Sequence, residues 1–303
     1  KVRCLVTGGA GFIGSNLVDE LIKRNAEVIV VDNLLTGKKE NLNPQAQFYE
    51  LDIRDLEKIK PVFAGVDFVF HLAALPRVQM SIDNPDLTND ININGMLNVL
   101  IASRDAKVKK VIYSSSSSVY GDNKILPASE NLPPNPISPY ALQKYTGELY
   151  CRLFSQVYGL PTVCLRYFNA YGKRFSVEGA YPLVIGIFLK QKMEGNPITI
   201  TGDGEQRRDF TSVSDIARAN IMAANCLKVG NGEAINIGRG QNYSINELAR
   251  MIGGEIVYIP ARLEPRETLA DVTLAKEFLG WEPTVNLADW IKEYKIEIGL
   301  EPY

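Results

Sequence analysis

The first half of the chain alternates short apolar runs with longer segments in which apolar residues recur at helical spacing. The apolar runs predict strands at 2–7, 27–32, 47–51, 67–72, 110–116 and 161–167. The helical spacing predicts helices near 12–24, 55–62, 88–105 and 138–158. Strands that alternate with helices are typical of a parallel sheet covered by helices on both faces. We therefore expect an α/β protein built on a Rossmann-type, doubly wound parallel sheet.

After about residue 170 this alternation stops. Pro182, Gly195-Asn196-Pro197 and Gly202-Asp203-Gly204 separate shorter elements, because proline and glycine interrupt regular structure. We expect residues 1–170 to form the Rossmann domain. Residues 171–303 are expected to form mainly a smaller C-terminal lobe that binds the substrate, with some later segments returning to the first domain.

A glycine pattern follows the first predicted strand. Gly8, Gly11 and Gly14 lie between that strand and a helix, where residues without a Cβ allow a tight turn and a close approach to a pyrophosphate. The amides at the start of the helix favour the same anion. The second strand ends in Asp32, a position from which a carboxylate binds the ribose hydroxyls and repels a 2′-phosphate. The pattern predicts a site for NAD rather than NADP.

A second group of residues predicts proton transfer. Tyr140 and Lys144 are four residues apart on a predicted helix and therefore share one face. A lysine ammonium next to a phenol favours the phenolate, so the tyrosine can serve as a base near neutral pH. Ser116, at the end of a strand, is a candidate to pass the proton between substrate and tyrosine.

Composition narrows the class of protein. The net charge of −2 among 303 residues gives no reason to expect binding to nucleic acid or to an anionic membrane, and no apolar run reaches the ~20 residues that span a bilayer. The four cysteines have no CxxC spacing and are expected to be reduced, in a cytoplasmic protein. With one histidine, His71, which we interpret as structural, no metal site is expected.

These motifs resemble the extended short-chain dehydrogenase/reductases, and among them the UDP-sugar 4-epimerases that act on UDP-glucose and UDP-N-acetylglucosamine. The resemblance extends over nearly the whole chain. Its motifs are Thr7 to Gly14, Asp52-Ile53-Arg54-Asp55, His71-Leu72-Ala73-Ala74, Ser114 to Gly121, Tyr140 to Lys144, Arg166-Tyr167-Phe168-Asn169, Gly202-Asp203-Gly204 with Arg208-Asp209-Phe210, and Ala270-Asp271 with Leu279-Gly280-Trp281. The resemblance implies tightly bound NAD and C4 epimerisation through a transient 4-keto sugar.

The resemblance also implies roles for individual residues. The expected catalytic residues are Ser116, Tyr140 and Lys144. The expected NAD contacts are Gly8, Gly11, Phe12, Ile13, Gly14, Asp32, Asn33, Asp52, Ile53, Leu72, Ala73, Ala74, Asn92, Ser114, Tyr140, Lys144 and Phe168. The expected contacts to the UDP-hexose are Ser116, Tyr140, Asn169, Leu183, Val184, Thr199, Thr201, Arg208, Arg262, Arg266 and Thr268. Arg262 and Arg266 are alternatives for a second diphosphate-binding arginine.

The serine run helps to select the reaction. Ser117 and Ser118 occupy the positions where related nucleotide-sugar dehydratases have Asp and Glu, and related decarboxylases have Glu at the position of Ser118. Without a carboxylate there, general acid–base chemistry beyond the tyrosine lacks its residues. This argues for oxidation and re-reduction alone.

The motifs leave open which hexose the UDP-sugar substrate has. Thr268 matches a position where members restricted to glucose and galactose have Tyr and members that accept acetylated sugars have a small residue. We therefore expect use of acetylated UDP-hexoses as well, although Pro76 and Arg77 differ from the Gly-Ser pair of acetyl-preferring members. The alternatives are a UDP-glucuronate 4-epimerase, with Arg77 as a candidate for binding the carboxylate, and a non-catalytic NAD-binding sensor.

The resemblance further implies a homodimer joined through the helices near 88–105 and 138–158. The second helix has Leu142, Tyr145, Leu149, Leu153 and Val157 at helical spacing. In the sequence, packing of these residues into the core explains the pattern equally well.

Overall fold

A parallel sheet forms the centre of the computed structural model, which describes residues 1–175, 183–261 and 264–302. Its seven strands are β1 (Arg3–Thr7), β2 (Glu27–Asp32), β3 (Gln47–Glu50), β4 (Phe68–His71), β5 (Lys110–Ser116), β6 (Thr162–Tyr167) and β11 (Asn231–Ile237). They lie in the order β11-β6-β5-β4-β1-β2-β3, and every neighbouring pair is parallel. This is the doubly wound arrangement that the sequence predicts.

Helices cover both faces of the sheet. The α-helices of the described residues are α1 (Phe12–Lys23), α2 (Leu56–Ile59), α3 (Val78–Asp83), α4 (Pro85–Asn89), α5 (Met96–Asp105), α6 (Pro139–Tyr158), α7 (Val184–Met193), α8 (Val213–Asn225), α9 (Ile245–Ile252) and α10 (Leu287–Glu297), of which α7, α9 and α10 belong to the smaller lobe. Apolar residues of α1 and α8 pack on one face, and those of α5 and α6 pack on the other. Because both faces are buried, the central strands are almost entirely apolar.

The predicted strands agree with the observed strands to within one residue at each end. The helix predicted near 88–105 is composed of α4, a wider π-helical turn at Asp90–Gly95 and α5. The helix predicted near 55–62 is α2 followed by a 3-10 turn at Lys60–Phe63. Such changes in hydrogen-bond register leave the spacing of apolar residues nearly unchanged, so the sequence pattern does not reveal them.

The second half of the chain builds a smaller lobe and also extends the sheet. In the lobe, α7, α9 and α10 surround the parallel pair β8 (Ile198–Thr201) and β13 (Ile256–Ile259), with a separate apolar cluster between them. Two-residue pairs connect the lobe to the sheet edge: β7 (Ala170–Tyr171) with β10 (Thr211–Ser212), and β9 (Arg207–Arg208) with β12 (Tyr243–Ser244). Between β10 and β12 the chain returns to the sheet through α8 and β11.

A buried ion pair joins the sheet to α6 below the catalytic edge. The guanidinium of Arg166 on β6 donates to both oxygens of Glu148, at 2.8 and 2.7 Å, and to the hydroxyl of Tyr120. Ser115 donates to the same carboxylate at 2.5 Å. Since each charge is met by hydrogen bonds, the pair fixes α6 in register with the strand that carries Ser116.

Within the described residues, no helix combines the length and the apolar character that crossing a membrane requires.

Candidate active site

The glycine turn begins where β1 ends. Gly8 has φ +74°, and a Cβ on it would lie 2.7 Å from the backbone nitrogen of Ala73, so only glycine allows the turn to pack against the segment after β4. Gly11 precedes α1 and has no side chain to cap it. The amides of Phe12 and Ile13 are therefore among the helix-terminal donors without an intrahelical acceptor. This amino terminus fits a pyrophosphate group.

Asp32 lies at the carboxyl end of β2, next to the glycine turn. Its carboxylate accepts hydrogen bonds from the amide of Ala10 at 3.0 Å and from the amide of Leu34 at 2.8 Å. Burial raises the pKa of Asp32, and these two amides act in the opposite direction. The position and the remaining lone pairs suit the ribose of an adenosine, as the sequence predicts.

The residues predicted to contact adenine lie after the ends of β2 and β3. Asn33 donates to Asp52 at 3.0 Å, and Arg54 forms an ion pair with Asp52 at 2.8 Å. Hydrogen bonding from Arg54 is the main cause that lowers the pKa of Asp52 to about 2. Ile53 is buried against Gly95. An ionised, fixed Asp52 is consistent with the predicted contact to adenine.

Thr7, His71 and Ala73 connect β1 to the segment after β4. The hydroxyl of Thr7 is 2.7 Å from Nδ1 of His71 and accepts from the amide of Ala73 at 3.2 Å. Burial lowers the pKa of His71 to about 3, so the ring is neutral at physiological pH. His71 also stacks on Tyr113. These contacts agree with the structural role predicted for His71.

Asn92 is buried, and its side-chain amide forms hydrogen bonds to other residues of the protein. Its oxygen accepts from the amide of Leu75 at 2.8 Å, and its nitrogen donates to the carbonyl of Leu75 and to Gln143 at 2.8 Å. Asn92 therefore holds the segment after β4 against α6. Its predicted contact with NAD stays a prediction.

Ser116, Tyr140 and Lys144 come together at the carboxyl end of β5. Ser138 caps α6 by accepting from the amide of Ala141 at 3.1 Å, and Pro139 follows at the first helical position. This start places Tyr140 and Lys144 on the face that packs against β5. The ammonium of Lys144 donates to the carbonyl of Ser114 at 2.6 Å and lies 5.8 Å from the centroid of the Tyr140 ring.

The ionisation of this group depends first on burial. Burial raises the pKa of Tyr140, whereas a hydrogen bond with Ser116 and the charge of Arg77 lower it. Burial lowers the pKa of Lys144 to about 8. The ammonium of Lys144 keeps its charge when it is bonded to the backbone of β5, and its predicted effect on the pKa of Tyr140 stays a prediction.

Several residues predicted to bind the sugar nucleotide come together where the lobe meets the sheet. Asn169 donates to the hydroxyl of Thr268 at 3.1 Å and to the carbonyl of Asp209 at the same distance. The hydroxyl of Thr268 also accepts from the amide of Asp209 at 3.2 Å. Burial raises the pKa of Asp209 to about 6, against three backbone amides that bind its carboxylate. Asp209 thus fixes the segment that carries Thr268.

The two predicted arginines in the described part of this region differ in environment. Arg208 is nearly buried and forms an ion pair with Glu264 at 2.5 Å. Arg266 is exposed and forms an ion pair with Asp203 at 2.9 Å. Arg262, the other predicted arginine, lies outside the described residues. Burial beside the cleft favours Arg208 as the phosphate-binding side chain.

Most of the remaining predicted residues lie in the lobe, on α7 and β8. Leu183 caps α7 and Val184 begins it. Thr199 bonds Gln191 through both its amide and its hydroxyl, and the carbonyl of Thr201 accepts from Gln206 at 2.8 Å. Phe168 is buried against Tyr120.

Three features of the site were missed in the sequence. Glu264 pairs with Arg208, and the hydroxyl of Ser81 accepts from the amide of Tyr140 at 2.9 Å. The hydroxyl of Ser118 is buried without a hydrogen-bond partner in the described structure. Of these residues, only Ser118 is close in sequence to a predicted catalytic residue, since it lies two positions after Ser116 in the serine run. In the described part of the chain, no cluster of His, Cys, Asp and Glu could hold a metal ion.

Comparison with known proteins identifies relatives that match nearly the whole chain. The NAD dependent epimerase/dehydratase family matches residues 4–238. The chain is 37% identical over 309 residues to the UDP-glucose 4-epimerase of Mycolicibacterium smegmatis, with 96% of each chain covered.

Two solved structures are also similar. The UDP-glucose 4-epimerase of Thermotoga maritima, solved with UDP-glucose, superimposes with a TM-score of 0.93 at 42% identity, covering 98% of this chain and 99% of that one. The UDP-N-acetylglucosamine 4-epimerase of Methanobrevibacter ruminantium, solved with UDP-N-acetylmuramic acid, gives a TM-score of 0.92 at 37% identity, covering 97% and 96%.

Proposed function

The chain belongs to the NAD dependent epimerase/dehydratase family, and from this premise we propose that it is a UDP-hexose 4-epimerase. Its substrates are UDP-glucose and UDP-galactose, together with the acetylated pair UDP-N-acetylglucosamine and UDP-N-acetylgalactosamine. The observation that carries the proposal is the grouping of Ser116, Tyr140 and Lys144 at the carboxyl end of β5, on the same edge of the parallel sheet as the glycine turn, without a carboxylate at positions 117 and 118.

Bound NAD would supply reversible hydride transfer at C4 of the sugar, which allows the configuration of that carbon to be inverted. The chain supplies the proton chemistry. Tyr140, as phenolate, takes the proton of the 4-hydroxyl directly or through Ser116 and returns it when the carbon is reduced. Lys144, anchored on the carbonyl of Ser114, holds the nicotinamide ribose. Asp32 and the amides at the start of α1 hold the adenosine and the pyrophosphate.

The side chains after β5 support epimerisation over elimination. Dehydration or decarboxylation of the sugar needs a further acid or base near C5 and C6. Ser117 and Ser118 have hydroxyls, which do not ionise in the physiological range. The reaction therefore ends with the return of the hydride to C4.

The opposite wall holds the UDP and leaves the hexose free to turn. Arg208 is the proposed phosphate ligand because a guanidinium matches two phosphate oxygens. Asn169, Leu183, Val184, Thr199 and Thr201 line the nucleotide side. Thr268 leaves room for an acetamido group, and its hydroxyl is fixed by Asn169 and Asp209.

We also propose that the enzyme acts as a homodimer in the cytoplasm. Four leucine and valine side chains on α6, Leu142, Leu149, Leu153 and Val157, are exposed by between 43% and 61%. The core does not cover them, so core packing does not account for this stripe. A second copy pairing the same face supplies the missing cover.

The experiment is a turnover assay without added cofactor. The purified protein is incubated with each of the four UDP-hexoses, and the products are separated by anion-exchange chromatography. We expect each sugar to be converted into its C4 epimer, because NAD remains bound through turnover. No epimer from any of the four, by protein that contains NAD, would refute the proposed function.

A further inference from the structure

The amide of Tyr140 lies in the first turn of α6, where a helix has no carbonyl of its own to accept from its N–H groups. Pro139, the first residue of the helix, has no N–H, and the amide of Ala141 is bonded to the hydroxyl of Ser138 at 3.1 Å. The amide of Tyr140 is bonded to the hydroxyl of Ser81 at 2.9 Å. This turn therefore takes one of its acceptors from another element, α3.

The hydroxyl of Ser81 is oriented to accept. Its side chain is fully buried, and its O–H donates to the carbonyl of Val78 at 2.6 Å. Because a hydroxyl has one proton and two lone pairs, this donation leaves a lone pair for the amide of Tyr140. With alanine at position 81 the amide would be buried without an acceptor, and loss of one partner of a buried hydrogen bond is costly.

A second contact of the same kind lies one turn further along α6. Thr88 on α4 is fully buried, and its hydroxyl donates to the carbonyl of Asn84 at 3.0 Å. The same hydroxyl accepts from the side chain of Gln143 at 3.0 Å. Tyr140 and Gln143 are three residues apart and share one face of α6. Helices α3 and α4 thus hold this face at two points.

The first turn of α6 determines where the phenol of Tyr140 lies. The centroid of its ring is 5.8 Å from the ammonium of Lys144, and its hydroxyl forms a hydrogen bond with Ser116. Displacement of this turn moves the phenol relative to both groups. A misplacement of about 1 Å can lower the rate of an enzyme by about 100-fold.

Ser81 also connects this turn to the segment that follows β4. Helix α3 begins directly after that segment, and the amide of Ser81 donates to the carbonyl of Arg77 at 3.1 Å. Residues 72–74 of the same segment are predicted to contact NAD. One hydroxyl therefore links the proposed base to the part of the chain predicted to lie against the cofactor.

We propose that Ser81 is a positioning residue of the reaction, whose hydroxyl fixes the first turn of α6 and thereby holds the phenol of Tyr140 in place beside Ser116 and Lys144. This inference rests on the proposed function. Ser81 acts through the backbone of Tyr140 and exchanges no proton with the substrate. Its loss slows the chemical step and leaves the binding of UDP, which is assigned to the lobe, largely unchanged.

The test is steady-state kinetics with UDP-galactose, with rates expressed per bound NAD. Ser81→Ala removes the acceptor, so we expect kcat to fall by about 10- to 100-fold. The KM should stay within about threefold of the wild type, because the contact concerns the base and not the nucleotide. Ser81→Thr keeps the hydroxyl and should recover most of the lost kcat.

Ser103 on α5 provides a matched control. It is fully buried, and its hydroxyl donates to the carbonyl of Val99 at 2.7 Å, much as Ser81 donates to Val78. Among the described residues, no hydrogen bond joins its side chain to α6. Ser103→Ala removes the same kind of group without touching the turn of Tyr140, and should leave kcat and KM unchanged.

Three results would overturn the inference. The kcat of Ser81→Ala could equal that of the wild type. Ser81→Ala and Ser103→Ala could lower kcat equally, which indicates a general loss of packing. Ser81→Thr, folded and with NAD bound, could be as slow as Ser81→Ala. If Ser81→Ala does not fold, Ser81→Cys replaces it, since a thiol fills the site and is only a weak acceptor.

Amide hydrogen exchange separates this inference from the proposed function. In Ser81→Ala the amide of Tyr140 has lost its acceptor, so it should exchange about tenfold faster than in the wild type. Ser103→Ala should exchange at the wild-type rate. This result supports the role of Ser81 in fixing the turn even if no UDP-hexose is epimerised. Unchanged exchange at Tyr140 in Ser81→Ala contradicts it.

Discussion

The guanidinium of Arg208 lies 2.5 Å from the carboxylate of Glu264. Arg208 is 9% exposed, and burial lowers its pKa while Glu264 raises it. Gln206 donates to the other oxygen of Glu264 at 3.3 Å. Glu264 therefore neutralises the arginine that we assign to the diphosphate, and a bound nucleotide has to compete with this carboxylate for it.

Replacement of Arg208 tests this assignment. Arg208→Gln removes a charged donor to phosphate, which contributes about 1.5–3 kcal/mol, so the KM for UDP-galactose should rise by about 10- to 100-fold. The value of kcat should change less, since the contact is present in both ground state and transition state. Steady-state kinetics measure both constants.

Arg266→Gln is the matched control for this experiment. Arg266 forms an exposed ion pair with Asp203, and such pairs contribute little. We expect its KM to stay within about twofold of the wild type. A larger rise in Arg266→Gln than in Arg208→Gln would transfer the phosphate contact to Arg266.

Tyr140→Phe removes the proposed base and keeps the ring. Turnover should fall by about 10²- to 10⁴-fold, the usual contribution of a positioned acid–base group, while UDP-galactose still binds. Tyr145→Phe, on the same helix and half-buried, is the control and should retain activity. Unchanged turnover in Tyr140→Phe would favour a role in NAD binding without catalysis.

The sheet could be predicted from the sequence because its strands are buried on both faces. Runs such as Val28 to Val31 and Val111 to Tyr113 are continuous and apolar, and a break at each end marks the strand. The pairs β7 with β10 and β9 with β12 could not be predicted, since two residues have no periodicity. Their formation depends on contacts between distant parts of the chain.

The site could be predicted where its residues are close in sequence. Gly8 to Gly14 and Tyr140 to Lys144 are each held by one turn or one helix, so spacing determines geometry. The partners of Arg208 and Tyr140 are set by tertiary packing. Glu264 lies 56 residues from Arg208, and Ser81 lies 59 residues from Tyr140.

Thr268 controls the size of the sugar pocket in this account. Thr268→Tyr should abolish use of UDP-N-acetylglucosamine and retain use of UDP-glucose, because the larger ring fills the space for the acetamido group. Thr268→Ser keeps the hydroxyl that Asn169 and Asp209 bind, and should retain both substrates. Assays with both sugars check the prediction. Rejection of acetylated sugars by the wild type would contradict it.

The stripe on α6 predicts the oligomeric state. Leu149→Glu with Leu153→Glu places two charges in the proposed interface, so the protein should elute as a monomer in size-exclusion chromatography with light scattering. Ile296→Glu, at an exposed apolar position on α10, should remain a dimer. A wild type that is monomeric at micromolar concentration would refute the dimer.

The fate of the hydrogen on C4 distinguishes return of the same hydride from exchange with water. UDP-galactose with deuterium at C4 is incubated with the protein in ordinary water without added NAD, and the UDP-glucose formed is examined by NMR. We predict that the deuterium is retained at C4 of the product, since the hydride leaves and returns within one active site. UDP-glucose with ordinary hydrogen at C4 would contradict the mechanism, because the hydrogen would then come from water.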